Sequence, residues 1–141
     1  MKRLFTRTIL TAGLSALLGS LTLSAQDYTK EIANVPFAFN ANERALPPGE
    51  YTVKQVNQSG LFQIYDSTGH SLFLNAPVQK SSKSASPKLT FTCYGDDCLL
   101  SQIWMPESNI GYTVSDSTLK KQLPRKIGMA AEIRSVRLST R

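Results

Sequence analysis

Between residues 30 and 115 apolar and polar positions alternate with a period of two, the pattern of half-buried strands. Along Ile32 to Phe39, Val35, Phe37 and Phe39 fall on one side, and Pro36 suggests a sheet edge or a strand start. Asn40 to Pro48 is a turn region closed by Pro47-Pro48-Gly49, after which Glu50 to Val56 alternates again. Leu61 to Tyr65 and His70 to Leu74 follow, set off by the turns Asn57-Gln58-Ser59-Gly60 and Asp66-Ser67-Thr68-Gly69. Short strands joined by short turns, with no amphipathic helix between residues 30 and 105, predict an antiparallel meander. The expected class is all-β: a small antiparallel β-sandwich or partly open barrel. Gln79 to Pro87 is polar and aperiodic and reads as a mobile loop.

One hairpin carries more than its pattern. Lys88 to Cys93 and Cys98 to Trp104 flank Tyr94-Gly95-Asp96-Asp97, and Cys93 and Cys98 are the chain's two cysteines. With Cys93 facing Cys98, the register pairs Phe91 with Leu100 and Leu89 with Gln102. One face then holds Leu89, Phe91, Cys93, Cys98, Leu100 and Trp104; the other holds Thr90, Thr92, Leu99 and Ser101. A structural disulfide is the favoured reading. A redox pair would favour C-x-x-C, and two thiols without a nearby histidine leave a zinc site incomplete.

The first 25 residues follow a different logic. A basic start with Lys2, Arg3 and Arg7 leads into an uncharged, mostly apolar stretch from Thr8 to Leu23, then Ser24-Ala25-Gln26. This is the order of a secretory signal peptide, with cleavage expected after Ala25. The alternative, an uncleaved anchor, needs about 20 apolar residues, and Gly13, Ser15, Gly19 and Ser20 interrupt a shorter run. The expectation is a soluble protein of the periplasm or extracellular space, where a disulfide persists. The mature chain then divides into a β domain, 26–116, and a basic C-terminal segment, 117–141.

Charge sharpens that division. The 141 residues carry +6, which falls to +3 without residues 1–25, too mild to indicate a nucleic-acid binder. Residues 117–141 hold seven bases and one acid, whereas 26–116 hold six bases and nine acids. Ser115-Asp116-Ser117 can cap a short helix with Leu119 and Leu123 on one face, ended by Pro124. Glu132 to Ser139 reads as either a closing strand or a tail. Lys120, Lys121, Arg125, Lys126, Arg134, Arg137 and Arg141 are candidates to contact an anionic surface, a lipid headgroup layer or an acidic glycan. The competing reading is a solvated tail.

Catalytic chemistry finds little footing. His70 is the one histidine and follows a turn, with no nucleophile or orienting acid placed for it by the sequence. Asp96-Asp97 suits a hairpin tip, and calcium would need more oxygen ligands at fixed spacing. Ser117-Thr118-Leu119-Lys120 fits S-x-x-K, but Ser and Lys are common enough for one chance match. No catalytic residue, metal site or cofactor is expected. Most aromatic residues lie on strands and should fill the core. Leu61 to Tyr65 has apolar groups on both faces, so it is either covered twice or presents an exposed strip to a partner.

Several blocks together resemble a known family. Val35-Pro36-Phe37-Ala38-Phe39, Leu46-Pro47-Pro48-Gly49-Glu50-Tyr51-Thr52-Val53, Tyr94-Gly95-Asp96 and Leu100-Ser101-Gln102-Ile103-Trp104 look like the ordered blocks of small exported proteins of unknown function, abundant in acidobacteria. The resemblance spans roughly residues 30–115 and implies an exported β-rich domain without an assigned activity. Cysteines around the Tyr-Gly-Asp turn depart from that pattern. The functional expectation is a noncatalytic module of the cell envelope, binding or structural, whose partner is an envelope protein, a glycan or an anionic membrane surface. The alternative is a carrier of an apolar small molecule in a β-barrel cavity. An exposed aromatic strip favours the first, and a closed cavity lined by Phe and Leu the second.

Overall fold

In the computed structural model, which describes residues 29–83, 86–106, 108–115 and 128–140, the alternation resolves into eleven strands in two packed sheets, with no helix among the described residues. The first sheet contains β1 (Lys30–Val35), β4 (Gly49–Gln55), β5 (Leu61–Asp66) and β6 (Ser71–Asn75), all antiparallel, in the order β1-β4-β5-β6. The second runs β11 (Glu132–Arg137), β8 (Lys88–Tyr94), β9 (Asp97–Trp104), β10 (Ile110–Thr113) and β7 (Val78–Ser81). The hairpin of β2 (Phe39–Ala41) and β3 (Arg44–Leu46) joins it through a parallel bridge between Asn40 and Leu99. The sheets do not close into a barrel. The architecture is a sandwich.

The period of two puts the core between the sheets. Ala33, Val35, Tyr51, Val53, Phe62, Ile64, Leu72 and Leu74 point inward from the first sheet. Leu89, Phe91, Cys93, Cys98, Leu100, Ile103 and Tyr112 meet them from the second. Aromatic rings form much of the join. Phe39 packs edge-to-face on Tyr51 at 5.3 Å and on Phe91 at 5.1 Å, and Phe62 packs likewise on Tyr112 at 5.0 Å. Each buried ring stabilises the fold by about 1.5–3 kcal/mol through area removed from water.

Pro36 ends β1, and the chain crosses to the other sheet. The stretch expected as one strand, Ile32 to Phe39, is therefore two, because proline cannot donate to the ladder. The region expected as a turn, Asn40 to Pro48, holds the β2–β3 hairpin. Its two-residue turn is Asn42-Glu43, both with positive φ (46° and 64°), as a type I′ turn requires. The hairpin tip reaches the edge of the first sheet, where Asn42 donates to the Phe73 carbonyl at 3.0 Å and Arg44 to the Ser71 carbonyl at 3.4 Å. Two carbonyls of an edge strand are thereby occupied.

Three other expectations are corrected or decided. Gln79 to Pro87 is not simply a loop, since β7 pairs with β10 over Val78–Ser81. An edge strand draws its stability from ladder hydrogen bonds and needs no apolar period. Leu89 pairs with Ile103, not Gln102, because Ser101 is an extra residue opposite the Thr90/Phe91 step. The Ser101 hydroxyl donates to the Thr90 carbonyl at 2.9 Å at that bulge. The bulge turns Ile103 to the core and Trp104 to the opposite face. Finally, Glu132 to Arg137 is a strand paired with β8, and beyond it Ser139 bridges to Ile32 of the first sheet. The signal peptide expected over residues 1–25 and the short helix expected at Ser117 to Leu123 lie outside the described residues.

Candidate binding face

The strand order of the first sheet brings together residues that are far apart in sequence. Because Glu31, Ala33, Val53, Phe62, Ile64, Leu72 and Leu74 face inward, the intervening residues form the outer face. Register then sets a row straight across it: Lys30 opposite Lys54, Lys54 opposite Gln63, and Gln63 opposite Phe73. The next row is Ile32, Thr52, Tyr65 and Ser71. Phe73 is 52% exposed, far more than a ring used for packing. Leu61 and Tyr65 are half-buried while Phe62 and Ile64 are in the core. The strand with two apolar faces is thus covered on one side and presents a strip on the other.

A groove of about 240 Å³ runs over this face, lined by Lys30, Lys54, Gln63, Tyr65, Gly69 and Ser71. A second open groove, about 370 Å³, lies at the opposite end of the sheet between Asn34-Val35-Pro36 and Pro48-Gly49-Glu50. A small recess of about 30 Å³ sits between β3 and the β5–β6 turn, lined in part by Arg44, Tyr51 and Asp66. None of these three is a closed chamber lined by Phe and Leu of the kind an apolar carrier needs.

His70 belongs to a turn lock. Asp66 Oδ1 accepts from the Thr68 amide (2.9 Å), the Thr68 hydroxyl (2.6 Å) and the His70 amide (3.1 Å). His70 Nδ1 lies 2.8 Å from the Thr68 hydroxyl and 3.4 Å from Asp66 Oδ2. In a nucleophile–histidine–acid relay the hydroxyl and the acid bond to different ring nitrogens; here both crowd Nδ1. The hydrogen bond from Thr68, then those from the turn amides, holds the Asp66 carboxyl below its ordinary range. The imidazole itself is 86% exposed.

The basic C-terminal residues are not gathered into one described patch. Lys120, Lys121, Arg125, Lys126 and Arg141 lie outside the described residues. Arg134 is engaged locally. Its guanidinium takes both oxygens of Glu132, at 3.1 and 3.3 Å, and stands 5.3 Å from the Phe37 ring centroid. Phe37 in turn packs edge-to-face on Phe91. Arg134 thus caps the core beside β11, while Arg137, exposed, pairs in register with Lys88.

Cys93 and Cys98 form a disulfide across β8 and β9, and their Cα atoms are 4.0 Å apart. That spacing belongs to a non-hydrogen-bonded antiparallel pair, one step back from a two-residue turn whose Gly95 has φ of 64°. Asp96 is at the turn tip, and no group of three His, Cys, Asp or Glu suited to a metal occurs among the described residues.

Two features escaped the reading of the sequence. The Lys30–Lys54 pair depends on β1 and β4 being neighbours, which no local pattern announces. The other is Glu31, for which a signal existed, since it shares its parity with Ala33 and Val35. It is 1% exposed on the inner face, and its Oε1 has no hydrogen-bond partner. Burial raises the Glu31 carboxyl above its ordinary pKa. Comparison with known proteins finds no matching family model, no matching curated protein and no matching solved structure.

Proposed function

We propose that this chain is an exported, noncatalytic binding module of the cell envelope, and that it docks through the outer face of the four-stranded sheet. The observation that carries this reading is Phe73, half exposed at one end of a register row whose other end is Lys30 and Lys54. An exposed ring costs solubility, and a ring in line with two cations, across Gln63, offers an extended partner both contact area and charge. The disulfide fits an oxidising compartment, and the leader-like residues 1–25 supply the route there. The ordered blocks resembling small exported proteins of unknown function point the same way. The β11 strand makes Glu132–Arg137 part of the domain, and the reading offered here places docking on the sheet face.

The test has two arms. N-terminal sequencing of exported protein should begin at Gln26, and an intact Met1 terminus in the membrane fraction overturns export. Purified mature protein should cosediment with isolated envelopes, and the combined Phe73→Ser and Lys54→Gln substitutions should abolish that at an unchanged melting temperature. Equal cosedimentation of the variant removes this face as the docking surface.

A further inference from the structure

We infer that the groove between Lys30, Lys54 and Tyr65 is a subsite for an acidic sugar residue of a polysaccharide; this deepens the docking role proposed for the same face. The argument begins with charge. Lys30 and Lys54 are directly opposed across an antiparallel pair, where like charges repel and destabilise the ladder. Neither ammonium is ion-paired with a carboxylate among the described residues. Their cross-strand neighbour Gln63 is neutral. Glu31, adjacent in sequence to Lys30, is turned to the core. Glu50, on the same face of β4, lies four residues from Lys54, about 13 Å along the strand. Asp66 is committed to its turn. The counter-charge that the described residues do not supply is an anion, and a carboxylate set between the two ammonium groups converts repulsion into two charge-assisted hydrogen bonds.

The rest of the groove identifies what carries the carboxylate. Its lining includes Gln63, Tyr65 and Ser71, whose amide and hydroxyl groups are of the kind that pair with sugar hydroxyls, and an aromatic ring at Tyr65 is of the kind that packs on a sugar's C–H face. Gly69 keeps one end open, with nothing within 4 Å of the position a β-carbon would take. At about 240 Å³ the groove is smaller than the ~300–1,000 Å³ of enclosed small-molecule clefts, and it is open along the face. That shape suits one unit of a chain passing over the sheet, with Phe73 in line beyond Gln63 to meet a neighbouring unit. An anionic bilayer is recognised by larger basic clusters of about four to eight residues, and two lysines fall short of that.

The probe is a polygalacturonate oligosaccharide, titrated calorimetrically into the mature disulfide-bonded protein. The same titration is made with a neutral dextran and with phosphatidylglycerol vesicles. Binding of the polygalacturonate is expected at low salt and should weaken steeply by about 0.5 M, where the Debye length is only a few ångströms. Lys30→Gln with Lys54→Gln should weaken it roughly tenfold. The melting temperature of that variant should hold or rise, because a repulsive pair has been removed. Equal affinity for dextran, unchanged affinity in the double variant, or binding of the vesicles alone overturns the inference. Envelope cosedimentation that still depends on Phe73 and Lys54 would then leave the docking face standing with a different ligand.

Discussion

The indole of Trp104 fills the space that a side chain at Gly111 would need. The two residues are opposite each other on β9 and β10, and a β-carbon at 111 would overlap Cε2 and Cζ2 of the ring. Trp104 is buried here on the face away from the main core, its Nε1 donating to Gln102 Oε1 at 3.3 Å. Gly111 makes room for the largest side chain in the protein at the centre of a sheet.

Gly111→Ala is therefore expected to destabilise the domain by about 1–3 kcal/mol, the range for forcing a methyl into a packed site. Chemical denaturation measures the loss. Trp104→Leu in the same chain should recover part of it, since contacting residues couple. Additive losses in the double variant would mean that the ring moves aside freely.

Glu31 makes stability depend on pH in the direction opposite to Asp66. The folded-state pKa of Glu31 is raised, so its stabilising contribution is complete below the unfolded carboxylate range and is lost as pH rises through the folded value. Glu31→Gln should raise the melting temperature at pH 7 and change it little near pH 4. The folded-state pKa of Asp66 is lowered, so its contribution is present above the unfolded range and lost as pH falls through the folded value. Asp66→Asn should destabilise at pH 7 and converge with the parent in strong acid. Melting curves across that range check both signs.

The Cys93–Cys98 bridge closes a loop with a sequence separation of only 5. Its chain-entropy contribution is about 2 kcal/mol, toward the lower end of what disulfides supply. Alkylation without reductant should label neither thiol, and reduction should lower the melting temperature by several degrees without unfolding the domain at 25 °C.

Truncation before Met129 should unfold the protein. It removes the β11 partner of β8 along Lys88–Cys93, the half-buried Val136, the buried Leu138 and the Ser139 bridge to Ile32. Loss of a cooperative melting transition is the expected readout. A truncated chain that melts like the parent would make residues 129–141 an independent tail.

How far the sequence reached depended on the range of the forces involved. Period-two alternation is a local consequence of pleating, and it marked β4 and β5 because each has one face in the core and the other only partly covered. It showed in β8 and β9 too, although Thr90, Leu99 and Trp104 are buried on their other face. The β8–β9 hairpin and its disulfide were legible together, since a two-residue turn sets the pairing and the pairing sets which cysteine meets which. Phe73 and Tyr65 were visible as aromatic strand residues, but their exposure was not. The sequence alone therefore determined the all-β class, the Cys93–Cys98 hairpin and the core parity of that hairpin up to Leu100. Beyond Leu100 the bulge exchanged Trp104, expected on the core face, for Ile103. Tertiary structure alone decided that β1 lies beside β4, that β7 is a strand, that Ser101 bulges, and that Glu132–Arg137 completes a sheet. Each of these rests on hydrogen bonds and packing between segments distant in the chain, and a ladder partner leaves no mark on the polarity of an edge strand. The opposition of Lys30 and Lys54, 24 positions apart, is of the same kind: their alternation was in the sequence, and their meeting came from the order of the strands.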